Sequence, residues 1–202
     1  MKKIFSLMAI LLVAMFVTAC GGSEPEARTA PSADVNALCK AYLQGDEASL
    51  KKFGSTPEEY EQQFLSEFSS SFTSSSGLTL TPEQLSTVNT ALRNLLARST
   101  FEVADVSEEG DNATVKVTVS TLTMFNENDI IAKLPANVAT LDETARMDAI
   151  VTALVEILNE WQYTGTTDFD VACKYDSQAK AWLPVELEQF GVTIAKKIFG
   201  IE

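Results

Sequence analysis

Histidine, a side chain that commonly performs catalysis, is missing from this sequence. Its 202 residues include three cysteines and no histidine. Histidine is the usual general base in Ser/His and Cys/His nucleophilic sites, and it is the commonest metal ligand. The composition therefore argues against zinc hydrolases and histidine-activated nucleophiles. Catalysis by carboxylates alone, as in glycosidases, stays possible.

Asp168 and Asp170 are the nominal candidates for a carboxylate-dependent site. Being two residues apart on a predicted strand, they share one face, and the alternation with Phe169 and Val171 points that face to solvent. The acidic turn at 108–112 lacks the alternating ligands and the following glutamate of an EF-hand. We therefore predict a protein that is not an enzyme, with no catalytic residue, no cofactor and no metal site.

One cysteine follows an N-terminal apolar segment. Two lysines near the start precede an apolar run that ends in small residues, which is the pattern of a secretory signal. Val17-Thr18-Ala19-Cys20 resembles the lipobox of bacterial lipoproteins, in which the cysteine thiol receives a diacylglyceryl group and becomes the new N-terminus. The alternative is an ordinary secreted protein that is cleaved after Ala19. The sequence thus predicts a signal peptide over residues 1–19 and a lipidation site at Cys20.

The composition changes after the lipobox. Small, polar and proline residues dominate up to residue 33, so residues 20–33 are predicted to be the lipidated cysteine and a flexible tether. Residues 34–202 are long enough for a single domain with a sizeable core. The formal net charge of −13 disfavours nucleic acid and anionic lipid headgroups. The predicted partners are the membrane, reached through Cys20, and an unknown small ligand or envelope protein.

Two further cysteines lie on faces that are predicted to be buried. Cys39 belongs to a helical stripe with Val35 and Tyr42, and Cys173 alternates with polar residues on a strand. Export would take both to a compartment where disulfides form. Two arrangements stay open, which are a long-range disulfide between Cys39 and Cys173 and two separate buried thiols.

Hydrophobic periodicity divides the domain into helices and two hairpins. Thr56-Pro57 and Thr81-Pro82 each combine a hydroxyl cap with a proline and predict a helix start with a capping box. The Ser-rich stretch 69–77 is predicted to be a mobile loop. The whole pattern predicts the α+β class, with helices packed on one curved antiparallel sheet. Helices are predicted to start near Val35, Asp46, Pro57, Pro82, Asn126, Asp142 and Leu187, and hairpins to cover residues 101–120 and 168–183.

Three cues in the sequence point to one family. They are the lipobox, the segment Ala41-Tyr42-Leu43-Gln44-Gly45-Asp46 within Leu38–Asp46, and the final hairpin Asp176–Leu183. With these features the chain resembles a group of bacterial lipoproteins whose domain of unknown function has a cystatin-like or nuclear-transport-factor-2-like fold. The resemblance implies a curved antiparallel sheet wrapped around an N-terminal helix, often with a conical pocket. It assigns no functional residue, because the group has no shared catalytic motif.

These observations favour a membrane-anchored, extracytoplasmic lipoprotein that is a non-enzymatic binding module for a ligand or protein of the cell envelope. One alternative is a solute-capturing accessory of a transporter. Such receptors are usually built from two α/β lobes, and no βαβ alternation is visible in this sequence. A carboxylate-dependent hydrolase that uses Asp168 and Asp170 is the remaining alternative.

Overall fold

The domain consists of a four-stranded antiparallel sheet with helices packed against it. The computed structural model describes residues 28–76, 79–123 and 127–200, so the predicted signal peptide and Cys20 lie outside the described residues. In chain order the elements are α1 (Pro31–Gln44), α2 (Glu47–Lys52), α3 (Pro57–Ser76), α4 (Pro82–Ala97), β1 (Phe101–Glu109), β2 (Asn112–Leu122), α5 (Glu127–Lys133), a 3₁₀ turn (Val138–Thr140), α6 (Glu143–Glu160), β3 (Tyr163–Asp176), β4 (Ala181–Pro184) and α7 (Leu187–Phe199).

Both predicted capping boxes form at helix starts. At α3 the Thr56 N–H donates to Glu59 Oε2 at 3.0 Å, and the Glu59 N–H donates to Thr56 Oγ1 at 3.2 Å. At α4 the Thr81 N–H donates to Gln84 Oε1 at 2.9 Å, and the Gln84 N–H donates to Thr81 Oγ1 at 3.2 Å. Each pair satisfies two backbone donors that have no partner within the helix. The prediction of these helix starts from local residues is confirmed.

The Ser-rich stretch differs from its prediction. Helix α3 continues through it to Ser76, where a mobile loop was predicted from residue 69. Serine lowers helix propensity by only a few tenths of a kcal/mol relative to good helix formers, and the first glycine comes at position 77. A helix that has already been nucleated can therefore extend through a run of serines. Composition overstated the tendency of this segment to unfold.

The strands lie in the order β1-β2-β3-β4, and every neighbouring pair is antiparallel. β2 pairs with β3 from Leu122 opposite Tyr163 to Asn112 opposite Lys174. β4 is only four residues long and pairs with residues 173–176 of β3. The sheet is open. Because β1 pairs with β2 and β3 pairs with β4, both predicted hairpins are confirmed, and so is the α+β class. β3 begins earlier than its apolar alternation predicted.

The core lies between one face of the sheet and the helices. Val115, Val117 and Val119 of β2 are fully buried on that face. Helix α1 packs on β1, β2 and β4, while α7 packs on β2 and β4 and α4 packs on α6. Trp182 of β4 is among the largest fully buried side chains. The opposite face of the sheet carries exposed residues, including Lys116.

The folded domain begins before Asp34. The Arg28 guanidinium lies over the Tyr175 ring at 4.1 Å and pairs with the Asp111 carboxylate at 2.7 Å. The indole N–H of Trp182 donates to the backbone oxygen of residue 29 at 2.9 Å. Residues 28–33, which composition assigned to the tether, are therefore attached to the turn between β1 and β2 and to the β3–β4 hairpin.

The start of helix α1 is capped by another element. Its N-cap residue, Ala30, has no side-chain acceptor. The Asp105 carboxylate of β1 instead accepts the Ser32 N–H at 2.7 Å and the Ser32 hydroxyl at 2.8 Å. A carboxylate at a helix N-terminus satisfies orphan donors and interacts favourably with the helix dipole. Asp105 thus fixes α1 against β1.

Candidate functional site

The β3 groove is an apolar depression between β3 and helix α7, with a volume of about 360 Å³. Phe169 and Val171 of β3 contribute one wall, and Phe190 of α7 contributes the other. The ring centroids of Phe169 and Phe190 are 6.4 Å apart, and those of Phe190 and Tyr42 of α1 are 6.1 Å apart. Because Phe190 is held from two sides, the wall of the groove is part of the core rather than a loose surface side chain.

The end of β4 creates this groove. The last bond of the β3–β4 ladder runs from the Val185 N–H to the Ala172 oxygen at 2.9 Å. Pro184 has no N–H, and the chain turns after it into α7. The Val185 side chain is left 63 % exposed at the mouth of the groove. The groove therefore occupies the line along which β4 would have continued.

Residues 164–170 of β3 are named the free β3 edge, because among the described strands they pair with β2 on one side and with none on the other. β2 pairs with this stretch on its inner side, whereas β4 begins to pair only at residue 173. In an antiparallel ladder alternate residues direct both backbone groups to the same neighbour. Since Ala172 bonds outward to Val185, the N–H and C=O groups of Asp170, Asp168 and Thr166 also point outward. Within the described ranges, no strand pairs with them.

The rim of the groove is acidic. Asp170 and Glu186 border it from opposite sides, together with the uncharged Gln189 and Thr193. Asp168 lies further along the free β3 edge and pairs with Lys116 of β2 at 3.5 Å. Both aspartates are exposed, as the alternation along β3 predicted. Asp170 borders the open groove and Asp168 lies outside its lining, so the two do not form a pair inside an enclosed cleft.

Two other cavities are each bordered by an ion pair. A cavity of about 350 Å³ near Tyr60 is bordered by Arg93 and Glu61, which lie 3.0 Å apart. A cavity of about 260 Å³ is bordered by Lys133 and Glu160, which lie 2.7 Å apart. In each cavity the ion pair occupies two of the charged groups that could recognise a polar ligand. The β3 groove combines a larger apolar wall with charges that do not pair across it.

Asp34 is a buried carboxylate that sequence reasoning did not single out. It is 0 % exposed, and it accepts hydrogen bonds from the Thr29 hydroxyl and from the backbone N–H of Trp182, each at 2.7 Å. The Lys52 ammonium pairs with its other oxygen at 2.5 Å. These partners occupy the carboxylate, so Asp34 is structural. No local signal marks it, because Trp182 is 148 residues away along the chain.

Cys39 and Cys173 are separate buried thiols in the structure. Burial raises the pKa of the Cys39 thiol far above its usual value. Burial, and then the nearby carboxylates of Asp105 and Asp34, raises the pKa of Cys173 to about 12. A thiol that stays protonated at neutral pH is a poor nucleophile and a poor metal ligand. The disulfide is absent from the structure, and pairing of the two thiols in the exported protein stays a prediction.

Two features are absent from the described ranges. In these ranges no three Cys, Asp or Glu side chains lie close enough together to hold a metal ion. No helix in the same ranges is both long and apolar enough to cross a bilayer.

Comparison with known proteins gives the fold. No family model matches the sequence, and no curated protein matches it. One crystal structure is similar, that of a candidate lipoprotein (ycdA) from Bacillus subtilis subsp. subtilis str. 168, with a TM-score of 0.66 and 15 % sequence identity. The match covers 83 % of this chain and 55 % of that one, so this chain spans about half the length of its structural neighbour. The two proteins share an α+β architecture in which helices pack on an antiparallel sheet.

Proposed function

We propose that this protein is a non-enzymatic binding module of the cell envelope and that the β3 groove is its binding site. The observation that carries the proposal is an apolar wall of Phe169, Val171 and Phe190 beneath a rim of polar groups. Binding sites in proteins are typically concave and mostly apolar, with a few polar groups that set orientation. The lack of histidine, and thiols that stay protonated at neutral pH, favour binding over catalysis.

The proposal includes a membrane anchor at Cys20. Its support is the signal-peptide pattern ending in Val17-Thr18-Ala19-Cys20 and a fold shared with a candidate lipoprotein. Two acyl chains suffice for stable attachment to a bilayer. Between Cys20 and Arg28 the chain can extend over at most about 28 Å, which would keep the domain close to the extracytoplasmic membrane surface.

The finer fold assignment is also part of the proposal. In a cystatin-like or nuclear-transport-factor-2-like fold a curved sheet wraps an N-terminal helix. Helix α1 is the first described helix, and it packs on β1, β2 and β4. That packing supports the assignment, with the β3 groove lying beside the wrapped helix where Tyr42 contacts Phe190.

The anchor is tested by the Cys20→Ala variant. We expect the wild-type protein in the membrane fraction and the variant in the soluble extracytoplasmic fraction, because no acyl chains can be attached. Ser23→Ala, in the predicted tether, is the matched control and should stay with the membrane. Mass spectrometry of the N-terminal peptide should show a diacylglyceryl group on Cys20. Membrane retention of Cys20→Ala would contradict the proposed anchor.

The groove is tested by filling it. Gln189 is exposed at its rim on α7, so a Gln189→Trp substitution would place an indole in the groove with little effect on the core. A panel of metabolites and peptides is screened by thermal shift against the wild type, and we expect Gln189→Trp to weaken binding of any hit at least about tenfold. Glu188→Trp, on the exposed neighbour outside the groove, should bind normally. Equal binding by both variants would place the ligand elsewhere.

A further inference from the structure

We infer that the free β3 edge takes up an extended, basic segment of a partner protein as an additional strand. This inference rests on the binding role proposed above and names the partner of that site. In strand addition the main-chain hydrogen bonds supply affinity, and pockets for alternate side chains supply selectivity. The free β3 edge provides the first component, and the β3 groove provides the second.

The backbone of the edge has the geometry that strand addition needs. Residues 164–170 span about 20 Å, the length of an ordinary strand in a globular protein. Thr166, Asp168 and Asp170 direct N–H and C=O groups outward, since they alternate with residues that bond to β2. From Thr166 to Lys174 the register with β2 is uninterrupted, so these groups form a regular row.

The groove determines where the side chains of the added strand would lie. A strand pairing antiparallel with Asp168 and Asp170 would continue the line of β4, which stops at Pro184. Its residues bonded to the two aspartates would share their solvent face. The intervening residues would point to the face of Phe169 and enter the β3 groove. The added strand should therefore alternate apolar and polar side chains.

The acidic side chains beside the free β3 edge determine which partner segments it would bind. The polar side chains of the added strand would lie opposite Asp170 and Asp168, with Glu186 nearby, in a chain of net charge −13. Asp168 pairs with the exposed Lys116 at 3.5 Å, and the three acids still outnumber this neighbouring cation. Basic residues opposite these acids would be stabilised, and acidic ones would be repelled. A second copy pairing across a two-fold axis at this edge would bring the same aspartates together. The inferred partner therefore carries lysine or arginine alternating with apolar residues.

The probe is a nine-residue fluorescent peptide of alternating lysine and valine, measured by anisotropy against the wild-type protein. In the inferred register the lysine residues direct their backbone groups to β3, whereas the valine residues direct theirs away. N-methylation of the lysine amides should weaken binding at least about tenfold, and N-methylation of the valine amides should have little effect. Bound peptide should slow amide hydrogen exchange at Thr166, Asp168 and Asp170.

A protein variant gives an independent test. Thr166→Pro removes one outward N–H and leaves the bonds to β2, because proline is tolerated where the N–H of an edge strand faces solvent. We expect about three- to tenfold weaker peptide binding with an unchanged thermal midpoint. Should this variant fail to fold, the two N-methylated peptides still decide the outcome on the wild-type protein.

The outcomes separate this inference from the proposed function. Peptide binding that is insensitive to N-methylation, or protection confined to α7, overturns strand addition while the groove remains a binding site. Strand addition is also overturned, and the groove remains a binding site, if the peptide does not bind but a small molecule gives a thermal shift that Gln189→Trp blocks. Absence of both overturns the inference and the proposed function together. Concentration-dependent dimers that protect the same three amides would identify a second copy, not a basic partner, as the occupant.

Discussion

The two sides on which this sheet could accept another strand are built differently. β1 has a register shift between Asp105 and Ser107, and the Asp105 carboxylate is tied to the first turn of α1. The free β3 edge has a register shift of its own at residue 164, but it is regular from Gly165 to Asp170, no described helix end is tied to it there, and it borders an apolar groove. Bulges and covering elements are common means of preventing edge-to-edge association. The comparison indicates that β1 is protected while β3 is left accessible.

Helix α1 accounts for much of this difference. It is held to β1 through Asp105, and it is held to β4 through the buried Asp34 carboxylate, which accepts the Trp182 N–H. Both of these connections lie outside residues 164–170 of β3. The accessible stretch of β3 thus lies beyond the part of the sheet that α1 fixes.

Removing the Asp34 carboxylate should have the largest effect on stability. Asp34→Ala leaves the buried backbone N–H of Trp182 without its acceptor, and it removes the carboxylate that pairs with the Lys52 ammonium. We expect the free energy of unfolding to fall by about 3 kcal/mol, since breaking a buried pair costs about 3–5 kcal/mol and Lys52 can still reach water. Urea denaturation measures the change. A loss below about 1 kcal/mol would show that α1 is held to β4 by packing alone.

Removing the Asp105 carboxylate, which caps the start of α1 from β1, should have a smaller effect on stability. Asp105→Ala deprives Ser32 of both hydrogen bonds, and the expected loss is about 1 kcal/mol of unfolding free energy, as for other helix caps. Asp168→Ala on the free β3 edge is the matched control, with an expected change within about 0.5 kcal/mol. The same urea titration serves for both. Equal losses in the two variants would remove the proposed difference between the edges.

The buried thiols give the smallest effect, and it appears only at alkaline pH. Cys173 has a pKa of about 12 in the folded protein and 9.0 as a reference value, so the unfolded chain ionises first as the pH rises. Stability is complete below pH 9 and declines between pH 9 and 12, by less than about 1 kcal/mol per thiol at pH 9.5. A Cys173→Ala variant should show a shallower decline between pH 8 and 10.

Thiol counting distinguishes the two arrangements of the cysteines. In the unfolded, unreduced mature protein two titratable thiols, besides any at Cys20, would agree with the separate thiols of the structure. The absence of both would demonstrate a disulfide between Cys39 and Cys173. In that case the part of the alkaline decline that begins near pH 9 should disappear in the oxidised protein, because no thiol would remain to ionise. The decline above pH 10 should persist, because burial also raises the pKa of Tyr60 and of Tyr163 to about 12.

Local signals in the sequence determined most helix starts and both hairpins. The capping boxes at Thr56 and Thr81 depend on residues three apart, so their partners are visible in the sequence. The final hairpin followed from the alternation of Phe169, Val171 and Cys173. The prediction failed where a segment had no clear pattern, as in the serines that extend α3 to Ser76. The N-terminal half of β3 lacks apolar alternation, and pairing with β2 decides its conformation.

The sequence by itself determined the acidic charge, the lack of histidine and the α+β class, and it predicts an address signal at Cys20, because each depends on composition or short-range spacing. Only the tertiary structure decided that Asp34 accepts a hydrogen bond from Trp182 and that Phe190 faces Phe169 across a groove. It also decided that β4 stops short and leaves residues 164–170 accessible. These features join residues from opposite ends of the chain, and no local pattern specifies which distant surfaces meet.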